Sequence, residues 1–366
     1  MLDVALKLLK KFTSCSFQAY IVGGFVRDYL LGIKSSDIDI ATNATPKEIK
    51  EMFPDSCLPN EDYGSVTVFM NGIRFEITTF RKEIGYINNR RPEKIKYIDS
   101  LEEDLKRRDF IINTICMDED GVIVDYLNGQ EDLNKRVIRT VGNSFDKFTE
   151  DCLRILRAVR FATILDFSLD SEIVDAICAC KGLLRKLSYD RKKEELEKIF
   201  TSPNAKNGIQ LLLDMELDQE LEIPNLYKVL NSKNVSLIGI WTVLDVTDKY
   251  PFNKNEMQLI KKVKKALNGN VLDPMMLYKY GLYVCSVAGE IKNQDIKKIT
   301  EAYNKLIIKN KKDININSKT IMNLLSKNSG EYIGDIYNDI EKEILYKRLN
   351  NNEEEITIYI KNKYFE

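Results

Sequence analysis

The chain has 366 residues, of which 44% are hydrophobic and 30% charged, and this length and composition predict two or three domains with a sizeable buried core. It contains no histidine, which excludes imidazole as nucleophile activator, general base or metal ligand, so any catalysis must use carboxylates, Arg, Lys, Tyr or hydroxyl groups. The formal net charge is −1, so a polyanionic partner would be held by local basic clusters and not by the field of the whole chain.

The first residues predict an amphipathic helix and not a signal peptide, because Asp3 and Lys7 interrupt the apolar run. The longest apolar stretch, at 235–244, falls well short of the roughly 20 residues that a membrane helix requires. The seven cysteines include no C-x-x-C pair and their number is odd. We therefore expect reduced thiols, no disulfide-linked partner, no membrane association and a cytoplasmic location.

Up to about residue 140, short strand-like runs alternate with helical patterns. TPKEIKEMF predicts a helix with Thr45 as its N-cap and proline at its first position. SVTVFMNGIRFEITTF, at 65–80, predicts a hairpin with a two-residue turn at Asn71-Gly72. Beyond about residue 145 nearly every segment is expected to be helical, because apolar residues recur at helical spacing.

The segment AYIVGGFVRDYLLG predicts a strand at 19–22, a tight turn at Gly23-Gly24 and a helix at 25–31. Two glycines let the backbone turn sharply and approach a ligand, and the free N–H groups at the helix start face that turn. Arg27, one turn into the helix, adds a guanidinium suited to phosphate oxygens. The segment therefore predicts an anion site.

Asp37 and Asp39 lie two residues apart in the next predicted strand, so their side chains share one face while Ile38 and Ile40 point into the core. Adjacent carboxylates repel each other, and Mg²⁺ bound by one or two carboxylates plus substrate phosphates would relieve that repulsion. The alternative is a glycine-rich turn between strand and helix, followed by surface aspartates, with no bound ligand, and either motif alone would fit it equally well. Together the two motifs favour a phosphate and metal site.

The predicted helix after residue 150 has a polar face with Asp151, Arg154 and Arg157. A carboxylate that accepts from an exocyclic amine and an Arg that donates to a ring nitrogen would take cytosine or adenine and reject uracil or guanine. An ion pair between Asp151 and Arg154 on the helix surface is the alternative. The opposite, apolar arc contains Cys152, Ile155, Leu156 and Val159.

As a set, four motifs resemble the class II tRNA nucleotidyltransferase family, which comprises the CCA-adding enzymes, with bacterial poly(A) polymerases as close relatives. The motifs are Gly23-Gly24-x-Val26-Arg27-Asp28, Asp37-x-Asp39, Arg107-Arg108-Asp109-Phe110-x-x-Asn113 and Glu150-Asp151-x-x-Arg154-x-x-Arg157. The resemblance implies an α+β fold with a polymerase-β-like nucleotidyltransferase head at 1–140. An all-α neck at 141–200 with the nucleotide-reading motif, a body at 201–310 and a tRNA-binding tail at 311–366 would follow.

The resemblance also implies the site and its ligands. Asp37 and Asp39 would hold two Mg²⁺ ions, and Glu76, on the outer face of a hairpin strand, would be a third catalytic carboxylate. The substrates would be tRNA, CTP and ATP, with CCA added to tRNA 3′ ends and pyrophosphate released. The nucleotide-binding residues would be Gly23, Gly24, Arg27, Arg108, Asp109, Asn113, Asp151, Arg154, Arg157 and Arg160.

The segment 80–105 resembles the flexible loop of complete CCA-adding enzymes, with Arg81, Tyr86 and Arg90 among the matching residues. Within it, Arg81 and Glu83 offer a charged contact to Asp151 or Arg154. The segment favours full CCA addition, while an A-adding or CC-adding specialist, a poly(A) polymerase and a non-catalytic RNA-binding protein stay open as alternatives. Further on, 321–337 resembles the closing helix–turn–helix of the family, and Lys-rich helices nearby would suit tRNA phosphates.

Overall fold

The structure is a computed structural model that describes residues 1–35, 37–55, 57–60, 64–87, 91–232 and 235–364, with the backbone alone at 57–60, 87 and 91. Arg90, from the loop motif, lies outside the described residues. The backbone divides into two units, Met1–Glu222 and Ile223–Glu366. The finer division into head, neck, body and tail stays a prediction.

The first unit combines strands with helices, as expected for an α+β head followed by helices. Its elements are α1 (Leu2–Ser14), β1 (Ala19–Val22), α2 (Gly24–Leu30), β2 (Asp39–Thr42), α3 (Pro46–Met52), β3 (Cys57–Asn60), β4 (Ser65–Met70), β5 (Ile73–Thr79), β6 (Arg81–Ile87), β7 (Arg91–Tyr97), α4 (Leu101–Lys106), β8 (Cys116–Met117), β9 (Ile123–Val124), α5 (Gly129–Lys135), β10 (Val137–Ile138), α6 (Ser144–Glu150), α7 (Leu153–Leu165), β11 (Ser168–Leu169), α8 (Ser171–Cys180), α9 (Tyr189–Phe200), α10 (Ala205–Asp214) and α11 (Leu217–Glu220).

The main sheet has the strand order β3-β4-β5-β2-β1-β8-β9, and β2 and β5 form its one parallel pair among the described strands. Its register places Val22 opposite Asp39, and Asp39 opposite Glu76. Because Gly23 directly follows Val22, the Gly-Gly turn and both carboxylates meet at one position of the sheet.

Local sequence signals explain several elements of this head. Thr45 and Glu48 form the capping box that starts α3. Asn71 and Gly72 both adopt positive φ, as a tight two-residue hairpin turn requires, and join β4 to β5 as predicted. In β5, Phe75 and Ile77 are buried and Glu76 is exposed, which is the expected alternation.

The Asp37-x-Asp39 motif differs from expectation in one respect. The strand β2 begins at Asp39, so Asp37 precedes the strand and does not lie within it. Alternation of burial nevertheless extends back to Asp37, since Ile38 and Ile40 are buried while both aspartates are exposed. Burial of the two isoleucines in the core therefore sets the direction of the aspartates.

The segment that resembles a flexible loop forms the antiparallel hairpin β6–β7. Arg81, Glu83 and Tyr86 are partly buried, whereas Lys82 and Ile84 are exposed. A regular strand would place Tyr86 on the face of Lys82 and Ile84, but Gly85 has φ +66°, which interrupts the alternation. The hydroxyl of Tyr86 consequently reaches Glu83 at 2.7 Å.

The second unit is helical in its described residues. The predicted helix–turn–helix is confirmed, with Gly330 in the connection between the helices Ser318–Leu325 and Tyr332–Leu345. Over the residues that the structure describes, every helix is too short or too polar to cross a membrane. The helices are α12 (Leu226–Leu230), α13 (Leu237–Leu244), α14 (Lys254–Leu267), α15 (Pro274–Ile291), α16 (Ile296–Asn304), α17 (Ser318–Leu325), α18 (Tyr332–Leu345) and α19 (Glu353–Tyr364).

Candidate active site

A cavity of about 1390 Å³ opens in the first unit and collects most of the residues predicted for the site. It is bounded by the Gly-Gly turn, the carboxylates of β2 and β5, the hairpin β6–β7, and helices α7 and α9. Asp37 is exposed beside this wall and is not part of the lining. The predicted residues in the lining are Gly23, Gly24, Arg27, Asp39, Glu76, Arg108, Asp109, Asn113, Asp151, Arg154, Arg157 and Arg160.

Two guanidinium groups stand over the Gly-Gly turn. A Cβ atom at Gly23 would lie 3.7 Å from Nη1 of Arg108, and one at Gly24 would lie 3.6 Å from Nη2 of Arg27. Gly23 has φ +74°, so a larger residue there would be strained. The Nε of Arg108 is buried and has no hydrogen-bond partner among the described residues. Because α2 has only seven residues, these guanidiniums contribute more to an anion site than its dipole does.

Asp39 and Glu76 form a pair of neighbouring carboxylates on adjacent parallel strands. Desolvation by the cavity wall raises the pKa of Asp39, the charges of Glu76 and Asp37 raise it further, and Arg108 opposes the rise. These oxygens match the ligand preference of a divalent cation such as Mg²⁺. No group of three or more acidic, Cys or His ligands is assembled in the described part of the chain, so substrate oxygens would have to complete the ligand set.

A hydrogen-bonded chain connects the side of the cavity at the Gly-Gly turn with α7. Arg27 donates from Nη1 to Oδ1 of Asn113 at 2.7 Å, and Asn113 donates to Oδ1 of Asp109 at 3.2 Å. The other oxygen of Asp109 accepts from Nε of Arg157 at 2.7 Å. Four residues from three of the predicted motifs are thus joined in one buried or half-buried chain of hydrogen bonds.

Arg154 is buried, with 6% of its surface exposed, and does not lie on the surface that the ion-pair alternative required. Its Nη1 donates to Oε2 of Glu150 at 2.8 Å and to the backbone carbonyl of Lys147 at 3.1 Å. Its Nη2 donates to the carbonyl of Arg107 at 3.2 Å. The acidic partner of Arg154 is therefore Glu150, whereas Asp151 accepts from the backbone N–H of Leu153 at 3.1 Å.

Comparison with known proteins assigns the family. The family model for the poly(A) polymerase head domain matches residues 19–139, an RNA- and SrmB-binding site of polymerase A matches 166–226, and a tRNA nucleotidyltransferase domain 2 matches 244–360. The CCA-adding enzyme of Ligilactobacillus salivarius is 35% identical over 96% of this chain and 94% of its own length. That of Bacillus subtilis is 34% identical over 98% and 97%. The chain belongs to the CCA-adding enzyme family.

A solved structure from the CCA-adding enzyme family also has this fold. The crystal structure of the Bacillus stearothermophilus CCA-adding enzyme in complex with CTP superposes on this chain with a TM-score of 0.87 and 27% sequence identity. The superposition covers 98% of this chain and 96% of that one. The resemblance seen in the motifs and the polymerase-β-like fold are thereby confirmed. Nucleotidyltransferases of this family generally use a divalent metal.

Sequence reasoning on CCA-adding enzyme motifs did not include Asp104. This carboxylate is fully buried and accepts from the backbone N–H of Arg81 at 3.0 Å and from Nε of Arg107 at 2.9 Å, and its other oxygen lies 3.3 Å from Nη2 of Arg108. It thereby links the base of the hairpin to the arginine motif. The sequence could have indicated these contacts, because Asp104 on α4 precedes Arg107 and Arg108 by three and four residues, the spacing at which side chains meet on a helix.

Burial opposes ionisation of Asp109, but the Arg157 guanidinium and the hydrogen bonds from Arg157 and Asn113 outweigh it and hold the pKa of Asp109 at about 2, below its ordinary 3.8. Because the folded-state pKa is lowered, the stabilisation is complete above about pH 4 and is lost as the pH falls toward 2. We expect Asp109→Asn to lower the free energy of unfolding at pH 7 by about 2 kcal/mol.

Urea unfolding of wild type and Asp109→Asn between pH 7 and pH 2 measures this contribution. The difference between the two proteins should shrink in the most acidic part of the range. The matched control is Asp120→Asn, because Asp120 is exposed beside Lys10 and should show no such convergence. A difference for Asp109→Asn that is constant across the whole range would contradict the assignment.

Proposed function

We propose that this chain adds CCA to tRNA 3′ ends from CTP and ATP without a nucleic-acid template, by two-metal nucleotidyl transfer with release of pyrophosphate. One observation carries the proposal: two neighbouring carboxylates suited to a divalent cation, guanidinium groups suited to phosphate oxygens, and the buried Arg154 line a single cavity. The CCA-adding enzymes that this chain resembles support the same reaction.

The carboxylates of Asp37 and Asp39 would hold Mg²⁺, with Glu76 beside Asp39 in the neighbouring strand. When bound, Mg²⁺ supplies Lewis-acid activation of the attacking hydroxyl and stabilisation of the departing pyrophosphate. The reaction then needs no histidine base, which agrees with the absence of histidine from the chain.

The chain's own cations and polar groups would bind and orient the nucleotide. Arg27 and Arg108 lie over the Gly-Gly turn, where the triphosphate would be neutralised. Asp109, fixed by Arg157, and the neighbouring Arg108 are in position to contact a ribose. Positioning of this kind supplies much of the rate in phosphoryl-type transfers, because little covalent chemistry is left to the protein.

Base selection is assigned to Arg154 and Asp151. A guanidinium has five N–H groups, and the three contacts of Arg154 use three of them. Two donors, on Nε and Nη2, are left without a partner among the described residues. Glu150 and two carbonyls therefore fix the group, while two of its donors stay available for an acceptor on the base.

Arg154→Ala is expected to reduce discrimination against UTP and GTP by about tenfold or more, since one good base contact is worth about 1–3 kcal/mol. Incorporation of each of the four nucleotides by wild type and variant measures the ratio. The matched control is Arg191→Ala, because Arg191 lies in the same cavity but pairs with Glu194 at its surface. Unchanged selectivity in Arg154→Ala would remove Arg154 from base reading.

The function is tested by product lengths on three tRNA substrates that lack one, two or three of the terminal nucleotides, with CTP and ATP supplied separately and together. Full CCA addition predicts two additions with CTP alone on the shortest tRNA and completion only when ATP is also present. Arrest after the second C when both CTP and ATP are present identifies a CC-adding specialist. Addition only to tRNA that already ends in CC identifies an A-adding specialist, and long adenosine tails identify a poly(A) polymerase.

We also propose that Lys-rich helices of the second unit, such as α14, contact tRNA phosphates. Among the described residues, no disulfide joins the cysteines, which are Cys15, Cys116, Cys152, Cys178, Cys180 and Cys285. Together with the cysteine pattern of the sequence, they support the cytoplasmic location that we propose.

A further inference from the structure

The ring of Phe161, in α7, lies against three guanidinium groups of the cavity wall. The guanidinium carbon of Arg160 is 4.4 Å from the ring centroid, that of Arg27 is 5.1 Å away and that of Arg157 is 5.5 Å away. A cation within about 6 Å of an aromatic centroid is attracted by the negative face of the ring. One aromatic side chain therefore contacts cations from two elements, α2 and α7.

These three cations are close enough to repel one another. Burial lowers the pKa of Arg160, and the positive charges of Arg157 and Arg27 add to that effect against the opposing carboxylates of Glu195 and Asp109. Each guanidinium is also tied on another side: Arg27 to Asp28 and Asn113, Arg157 to Asp109, and Arg160 to Glu195. The ring of Phe161 is in contact with all three guanidinium groups.

The ring itself is held in place. Phe161 has 8% of its surface exposed and packs edge-to-face against Phe110, with the centroids 5.7 Å apart and the planes at 78°. Phe110 directly follows Asp109, the carboxylate that binds Arg157. The orientation of the ring is thus coupled to the same motif that anchors one of its three cations.

We propose that Phe161 is a positioning residue for nucleotide binding: its ring holds the guanidiniums of Arg27, Arg157 and Arg160 together at the cavity wall, where a nucleoside triphosphate would be bound. The inference rests on the proposed function. An aliphatic side chain of similar size would fill the space without attracting the cations, so their mutual repulsion would spread them before the nucleotide arrives. Nucleotide affinity would fall, while the transfer step, which depends on the carboxylates of β2 and β5, would change little.

The test compares Phe161→Leu, which removes the ring, with Phe161→Tyr, which keeps it. Steady-state kinetics of single-nucleotide addition give KM and kcat for CTP and ATP, and equilibrium dialysis of radiolabelled ATP without RNA gives Kd directly. Phe148→Leu is the matched control, because it removes a fully buried ring from the neighbouring helix α6. Thermal unfolding checks that each variant is folded, and Phe161→Met repeats the test if Phe161→Leu is not.

We expect Phe161→Leu to raise KM and Kd for both nucleotides about tenfold, with kcat within about twofold of wild type. Phe161→Tyr should restore near wild-type values, and Phe148→Leu should lower the melting temperature with little change in Kd. Unchanged Kd in Phe161→Leu, or equal impairment in Phe161→Tyr or Phe148→Leu, would overturn the inference. If wild type itself binds neither CTP nor ATP, the proposed function fails instead, so the two failures are distinguishable.

Discussion

Replacing Asp39 or Asp37 with Ala is expected to abolish nucleotide transfer, with a loss of at least about a thousandfold, because metal-ion stabilisation of developing charge is worth several kcal/mol. Both side chains are exposed, so removal of either leaves the core intact. The raised pKa of Asp39 indicates that its charge is unfavourable in the folded protein. Asp39→Ala should therefore be as stable as wild type or slightly more stable.

The measurement is single-turnover extension of tRNA with Mg²⁺ present, beside thermal unfolding and tRNA affinity for each variant. Asp55→Ala serves as the matched control, since Asp55 is an exposed aspartate of the same unit that does not line the cavity. Near-normal turnover by Asp37→Ala or Asp39→Ala would disprove the metal assignment for that residue. A parallel loss of stability would point to a structural role.

Deletion of residues 84–90 is expected to leave addition of the two cytidines nearly intact and to reduce addition of the final A by about a hundredfold, the effect of a small misplacement of reacting groups. The reason is that cytosine and adenine share an edge pattern but differ in size, so the proposed base-reading face would have to be repositioned between the second and third additions. The hairpin is connected to that face through Glu83, which accepts from Tyr86 and from Nη1 of Arg107 at 3.4 Å. The carbonyl of Arg107 in turn accepts from Arg154.

Gel-resolved extension of a tRNA that lacks all three terminal nucleotides, with CTP and ATP present, measures this effect. The matched control is Lys82→Ala, on the exposed face of β6, which should complete CCA normally. A second variant, Tyr86→Phe, removes only the hydroxyl contact to Glu83 and should show a smaller loss in the same step. Completion of CCA at the wild-type rate by the deletion variant would show that the hairpin does not control the last addition.

The hairpin segment is connected to the start of α7 through the arginine motif. Arg81 binds Glu83 at 2.8 Å, and Glu83 lies 3.4 Å from Arg107. The backbone carbonyl of Arg107 accepts from Arg154, which gives one route from the hairpin to α7. A direct charged contact of Arg81 or Glu83 with Asp151 or Arg154 stays a prediction.

The local elements around the site could be predicted because each depends on a short-range rule. The strand before the Gly-Gly turn, the capped helix α3 and the β4–β5 hairpin follow from alternation, N-cap chemistry and a two-residue turn. The β6–β7 hairpin was missed as regular structure, because positive φ at Gly85 interrupts the alternation on which a strand prediction depends.

The amino-acid sequence by itself determined which chemical groups are available: carboxylates two residues apart, a Gly-Gly turn, arginines at helical spacing and no imidazole. Only the tertiary structure decided which of them meet. The parallel register of β2 and β5 brings Glu76 beside Asp39, the carboxylate of Asp104 accepts from the backbone N–H of Arg81, and the ring of Phe161 contacts cations from α2 and α7. Such contacts join residues far apart in sequence, and their energies depend on burial and orientation, which exist only once the chain has folded.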